Sequence, residues 1–272
     1  MPGRSSFDPE APIRAVMKPA AIRSRRFVAT AFHLLASACV AGVAALIVFG
    51  VWYPPPYSTI AAGMSLFVLL MSVDVVLGPA LTAVIADPGK PAKVFRRDLA
   101  VIVAIQLVGL GYGLYSISLA RPVYLSFEVD RMRVVTAADV DVTMLDQAPP
   151  EFRSLPWTGP KVIAAVRPTR PDEVLRSIDL ALGGVDISML PSQWRNYASQ
   201  KDAVLRVSRP ATELQEKYPN VAGELATLAA KAGKPASALR FLPVLARDSS
   251  TVVLIDPSDA GVLGFLAVDG FF

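Results

Sequence analysis

The chain has 272 residues, 53% of them hydrophobic, with a mean hydropathy of +0.45, a formal net charge of +4 and a pI near 9.3. A single cysteine, Cys39, excludes an intrachain disulfide and a cysteine metal site, and the single histidine, His33, leaves none for a zinc site or a Cys-His nucleophile after residue 120. The excess positive charge flanks apolar stretches, and residues 121–272 carry a net charge of −1. That pattern is a membrane-topology signal and excludes a basic groove for nucleic acid.

Residues 1–26 carry Arg4, Arg14, Lys18, Arg23, Arg25 and Arg26 against Asp8 and Glu10, with four prolines, and read as a disordered basic cytoplasmic tail. Phe27 to Val51 is then free of charge and, at ~1.5 Å per residue, more than spans a ~30 Å hydrocarbon core. A signal peptide competes for this run. It is too long for one, no small-residue cleavage site closes it, and further spans follow, so it reads as a retained helix. Trp52-Tyr53-Pro54-Pro55-Pro56-Tyr57 stops the helix and supplies the aromatics expected at a membrane–water boundary.

Ile60 to Ala86 forms a second span, closed by Asp87-Pro88-Gly89-Lys90-Pro91 and a loop with Lys93, Arg96 and Arg97. Leu99 to Ala120 forms a third, ended by Arg121-Pro122, with Gly109 and Gly113 leaving a strip for close helix approach. Positive charge on the tail and on the second loop sets the N-terminus on the cytoplasmic side and everything after Ala120 on the other. The expected domains are therefore the tail 1–26, a three-helix transmembrane region 27–120 and a periplasmic domain 121–272.

In that last part, Val123–Val129 and Met132–Val135 read as strands joined at Asp130-Arg131, and Lys161–Val166 as a third. Asp172–Leu182 reads as a helix closed by Gly183-Gly184, and Pro191–Val207 and Ala211–Ala232 have helical composition. Leu239–Leu245, Thr251–Ile255 and Val262–Val268 are strands, the last two a hairpin around Asp256–Gly261. Strands, then helices, then strands predict an α+β domain with a largely antiparallel sheet.

Asp74 is the only charged residue between Arg26 and Asp87, set in Val73-Asp74-Val75-Val76-Leu77-Gly78-Pro79. A carboxylate at mid-bilayer costs about 2.5–3.5 kcal/mol on insertion scales, so it faces protein. Three roles compete: a packing contact in the bundle or a homodimer, a docking point for a partner's transmembrane segment, and a proton or ion relay. The relay is disfavoured because no second acidic residue lies in any span. Gly78-Pro79 predicts a kink that frees backbone carbonyls. His33 and Gln106 lie at similar depth, ~9–10 Å from their helix ends, within reach of each other. After residue 120 no phosphate loop, nucleophile elbow or dinucleotide fingerprint occurs, and Glu128, Asp130 and Arg131 read as a surface salt bridge at a strand end. An enzymatic reading rests on no positive feature.

Several stretches resemble the type IV pilin accessory proteins (the TfpX/TfpZ-type family): His33-Leu34-Leu35 with Trp52-Tyr53-Pro54; Val73 to Pro79 followed by Leu81-Thr82; Asp98-Leu99 leading to Gln106-Leu107 and Tyr112-Gly113; and Ala120-Arg121-Pro122-Val123-Tyr124 through Phe127 to Arg131. The likeness runs from about residue 30 to 270 and weakens towards the end, which reads Val268-Asp269-Gly270-Phe271-Phe272 where Asp-Pro-Trp is expected. The resemblance implies an inner-membrane, chaperone-like helper that assists pilin stability, pilus assembly or pilus dynamics by contact, without catalysis, cofactor or metal. Its implied partners are a major or minor type IV pilin, the lipid bilayer and a second copy of the chain. The candidate contact residues are Asp74, Gly78, Pro79, Trp52, Tyr53 and Arg121. A small transporter or enzyme component with a periplasmic sensing domain is the alternative, and it needs a polar face along the spans that this chain lacks.

Overall fold

In a computed structural model, residues 19–85, 90–247 and 250–272 are described, with side chains from Phe27 onward. Residues 1–18 of the expected tail, and residues 86–89 of the break after the second span, lie outside the described residues. Helix α1 starts at Pro19, inside the segment read as tail, and runs to Ile47. One π-helical turn, Val48–Trp52, carries it on, and the short helix α2 (Tyr57–Ile60) follows. Helices α3 (Gly63–Ile85) and α4 (Ala92–Leu119) complete the N-terminal part.

Among the described residues, three helices are long and apolar enough to cross a membrane: Phe27–Trp52, Gly63–Ile85 and Ala92–Leu119. Even the shortest, at 23 residues, reaches roughly 35 Å, more than the ~30 Å of hydrocarbon. Their outward side chains are large and apolar: Phe27, Leu46, Val84 and Val108 are each about three-quarters exposed. That is the surface lipid covers and water would not.

The chain divides into two compact units, Met1–Val40 with Ser72–Gly109, and Ala41–Met71 with Leu110–Phe272. The second contains the sheet. Its centre is the antiparallel hairpin β1 (Pro122–Glu128) and β2 (Arg131–Thr136), turned through Val129 at φ 56°. Strand β3 (Lys161–Ala165) lies parallel to β1, and β4 (Trp194–Asn196) antiparallel to β3. On the other side β6 (Arg240–Leu245) runs parallel to β2, followed by β7 (Thr251–Ile255) and β8 (Val262–Leu266), both antiparallel. The two-residue strand β5 (Arg209–Pro210) pairs with β6.

The strand order is β4-β3-β1-β2-β6-β7-β8. The α+β architecture is as expected, while the sheet is mixed where a largely antiparallel one was expected. Both parallel pairings, β1 with β3 and β2 with β6, join strands separated by long connections, which parallel neighbours require and local sequence patterns do not report.

Alternate residues of each strand face different cores, so the strands read as continuous apolar runs. Leu125, Phe127, Leu242, Val244, Val253 and Ile255 pack with Trp52, Tyr53, Tyr57 and Ile60 from the segment after the first span. Tyr124, Ile163, Phe152 and Trp194 form a second core on the other face. Phe241, Val252, Leu254 and Leu266 form a third core with Leu214, Leu225 and Ala229.

Helix α5 (Pro171–Leu182) matches its prediction, with proline at its first position and Gly183 at its cap. The helical expectation for Pro191–Val207 fails in its first half: only α6 (Lys201–Val207) is α-helical, and Trp194–Asn196 is strand β4. Tertiary contact overrides composition here. The Trp194 indole N–H donates to Ser188 O at 2.8 Å, and its ring lies fully buried, 4.8 Å from that of Tyr124. The expected helix over Ala211–Ala232 is two, α7 (Thr212–Lys217) and α8 (Ala222–Lys231), broken where Pro219 removes a donor.

Candidate functional site

The predicted contact residues fall into two groups, one in each compact unit. In the first, Asp74, Gly78 and Pro79 lie on one face of α3, and Thr82, which was not among the predicted residues, follows on the same face at helical spacing. Gly78, Pro79 and Thr82 are buried and Asp74 half-buried. Pro79 sits inside the helix without breaking it. With no N–H of its own it leaves the carbonyl of Val75, four residues earlier, without its usual helical donor.

Gln106 on α4 meets this stretch. Its Nε2 donates to the Asp74 backbone carbonyl at 3.1 Å, which fixes the orientation of the amide because a carbonyl only accepts. Gln106 Oε1 then faces His33 Nε2 of α1 at 3.0 Å, so that ring nitrogen carries the proton. His33 Nδ1 in turn lies 2.5 Å from Thr82 Oγ1, and the threonine hydroxyl donates to it. One directional chain, Thr82 to His33 to Gln106 to the Asp74 carbonyl, thus links all three apolar helices.

Gly78 makes this possible. A Cβ there would stand 2.1 Å from Gln106 Nε2. The sequence brought His33 and Gln106 together correctly and missed Thr82, whose signal was its place two turns after Asp74 on the same face. The Asp74 carboxyl group itself makes no hydrogen bond or ion pair with any described residue.

In the second unit, Trp52, Tyr53 and Tyr57 are buried by protein, where they were read as aromatics of a membrane boundary. Tyr53 is fully buried and its hydroxyl donates to Ile117 O at 3.1 Å, which ties the end of the first apolar helix to the end of the third. Burial pushes the Tyr53 phenol above its ordinary range, with Arg121 and Arg247 pulling the other way. The Tyr57 ring meets Phe265 of β8 edge to face at 5.6 Å.

Arg121 is 7% exposed and donates from Nη1 to Ser118 O at 2.6 Å. Its guanidinium lies 4.8 Å from the centroid of the Trp157 ring, and burial lowers its pKa from the usual arginine value. Trp157 meets Trp52 edge to face at 5.8 Å. Sequence reasoning missed Trp157, which stands in a proline-rich loop with no pattern to mark it.

At the far end of β1 the expected salt bridge is present: Arg131 Nε lies 3.1 Å from Asp130 Oδ1 and 3.9 Å from Glu128 Oε1. Among the described residues no group of three or more His, Cys, Asp or Glu side chains is placed to hold a metal ion.

The family model described as fimbrial assembly protein FimB matches residues 22–62. Two proteins of Dichelobacter nodosus, the fimbrial assembly proteins of serogroup I and of serogroup E1, are each 32% identical to this chain over 240 residues, covering 88% of it and 93% of their own length. The fimbrial assembly protein of serogroups C1 and C2 is 41% identical over 116 residues, 43% of this chain and 88% of that protein. No solved structure matches the chain.

Proposed function

The chain belongs to the fimbrial assembly protein family, and from that premise we propose that it is an accessory protein of type IV pilus assembly that acts by holding a pilin subunit in the membrane. In this reading the protein sits in the bacterial inner membrane with its N-terminus cytoplasmic and the domain after Arg121 periplasmic. The basic residues before Phe27 and between Lys90 and Arg97 support that orientation. The spans contact the pilin's hydrophobic helix, and the mixed-sheet domain shields its head from premature association. The work is done by contacts, without a catalytic step.

The observation that carries this reading is Asp74. It lies on the inward-facing stripe of α3, and its carboxyl has no partner among the described residues. A carboxylate at mid-bilayer costs about 2.5–3.5 kcal/mol. A donor or positive group on an incoming helix offsets that cost. Trp52, Tyr53 and Arg121 serve the same function indirectly, by fixing the ends of the first and third spans to each other and to the sheet.

A photocrosslinking residue at position 74, in membranes that contain the pilin, tests this. An adduct with pilin is the expected product. Capture only of this protein's own helices would refute docking at Asp74.

A further inference from the structure

We propose that Arg121, Trp52 and Trp157 form a binding site for the phosphodiester of an anionic phospholipid headgroup. The argument is independent of pilin docking and rests on hydrogen-bond donors that have nothing to donate to. Arg121 Nε and Trp52 Nε1 are both fully buried and lack an acceptor among the described residues. Both side chains lie against one ring, that of Trp157. Arg121 has no ion pair among the described residues, although a buried guanidinium without an anion is costly.

Position identifies the missing acceptor. Trp52 is the last residue of the first apolar helix, and Arg121 follows Leu119, the last of the third, by two residues. The bond from Tyr53 to Ile117 O sets these ends side by side. The cluster therefore lies where hydrocarbon gives way to headgroups. The abundant acceptors at that depth are phosphate and ester oxygens. A guanidinium takes phosphate oxygens through paired N–H groups. Trp157, 61% exposed, supplies an apolar wall for the glycerol and the first acyl carbons. An uncompensated cation selects headgroups of net negative charge over zwitterionic ones.

The test uses the full chain, purified in mild detergent and reconstituted in nanodiscs of phosphatidylcholine with and without phosphatidylglycerol. Native mass spectrometry should show one phosphatidylglycerol retained per chain, and the unfolding temperature should rise with its content. Arg121→Gln should weaken retention about tenfold, the equivalent of one charge-assisted hydrogen bond, while Arg121→Lys keeps most of it. Trp157→Ala, at an exposed ring, should also weaken retention and serves if Arg121→Gln does not fold. Equal retention by wild type and both loss variants would overturn the site. Equal stabilisation by soluble glycerol phosphate in phosphatidylcholine discs would overturn the lipid source. Unchanged lipid retention with loss of pilin co-purification in Arg121→Gln would overturn it in favour of a carboxylate on a protein partner.

Discussion

Gly78 is where the sequence of the second span serves the polar chain most directly, and the effect of filling it can be worked out. In Gly78→Ala the new Cβ would lie 2.1 Å from Gln106 Nε2, so the amide must leave. Two hydrogen bonds go with it, to the Asp74 carbonyl at 3.1 Å and to His33 at 3.0 Å. Interhelical hydrogen bonds in membranes average about 0.6 kcal/mol and reach about 1.7, which gives a loss of about 1.2 and at most about 3.4 kcal/mol. Alanine also favours a helix over glycine by about 1 kcal/mol. At the average bond strength the two effects nearly cancel, so the single variant is a poor test. The double-mutant cycle with Gln106→Ala is a good one, because the propensity gain is common to both backgrounds and drops out.

The expected coupling is about 1.2 kcal/mol, roughly an eightfold change in the unfolding equilibrium. Gly78→Ala should stabilise the Gln106→Ala protein by about 1 kcal/mol while leaving the parent almost unchanged. Denaturation by SDS from mixed micelles, followed by circular dichroism on the four proteins, measures it. An equal effect of Gly78→Ala in both backgrounds would refute the claim that Gly78 exists to admit Gln106.

Two further outcomes follow from the second unit. Tyr53→Phe removes the donor to Ile117 O and leaves a buried carbonyl unpaired, at a cost of about 1–3 kcal/mol; thermal unfolding should shift down accordingly, and an unchanged midpoint would deny Tyr53 its role in joining the span ends. The Lys234 ammonium, with Ser258, holds the Asp256 carboxyl at about 2, below the ~3.9 of an unfolded chain. A lowered folded-state pKa stabilises above the unfolded value and is lost as pH falls through the folded one. The melting temperature should therefore fall between about pH 4 and pH 2, and less steeply in Lys234→Met; equal slopes would remove Asp256 from the acid response.

The spans were legible because long charge-free runs have no other economical explanation, and the pairing of His33 with Gln106 because equal depth in parallel helices implies proximity. Thr82 was not, since a lone hydroxyl in a membrane helix is usually satisfied by its own backbone and signals nothing. Trp52, Tyr53 and Tyr57 show a different limit. Their composition reports side chains with an apolar body and a polar tip, which suits a headgroup layer and equally suits a core that offers one acceptor, as Ile117 O does for Tyr53. Strand β4 was hidden for a related reason. Its residues have helical composition, and what makes them a strand is the edge of β3, where Ile163 to Ala165 pair with Asn196 to Trp194. Pairing between segments far apart in the chain leaves no local trace, which also explains the two parallel contacts in the sheet.

Among the readings of Asp74, the bonding of Gln106 discriminates. If bracing the bundle were the role of that carboxyl group, the amide one helix away would give its N–H to a carboxyl oxygen. It gives it to the backbone carbonyl of the same residue instead, and its oxygen accepts from His33. The three helices are thus joined by Thr82, His33 and Gln106 without using the carboxyl group at all. Replacing Asp74 by leucine would leave every one of those bonds available, because the acceptor at position 74 is the main chain. We propose on that ground that the Asp74 carboxyl group, costly in hydrocarbon and unused by its own bundle, serves a donor that arrives with another helix.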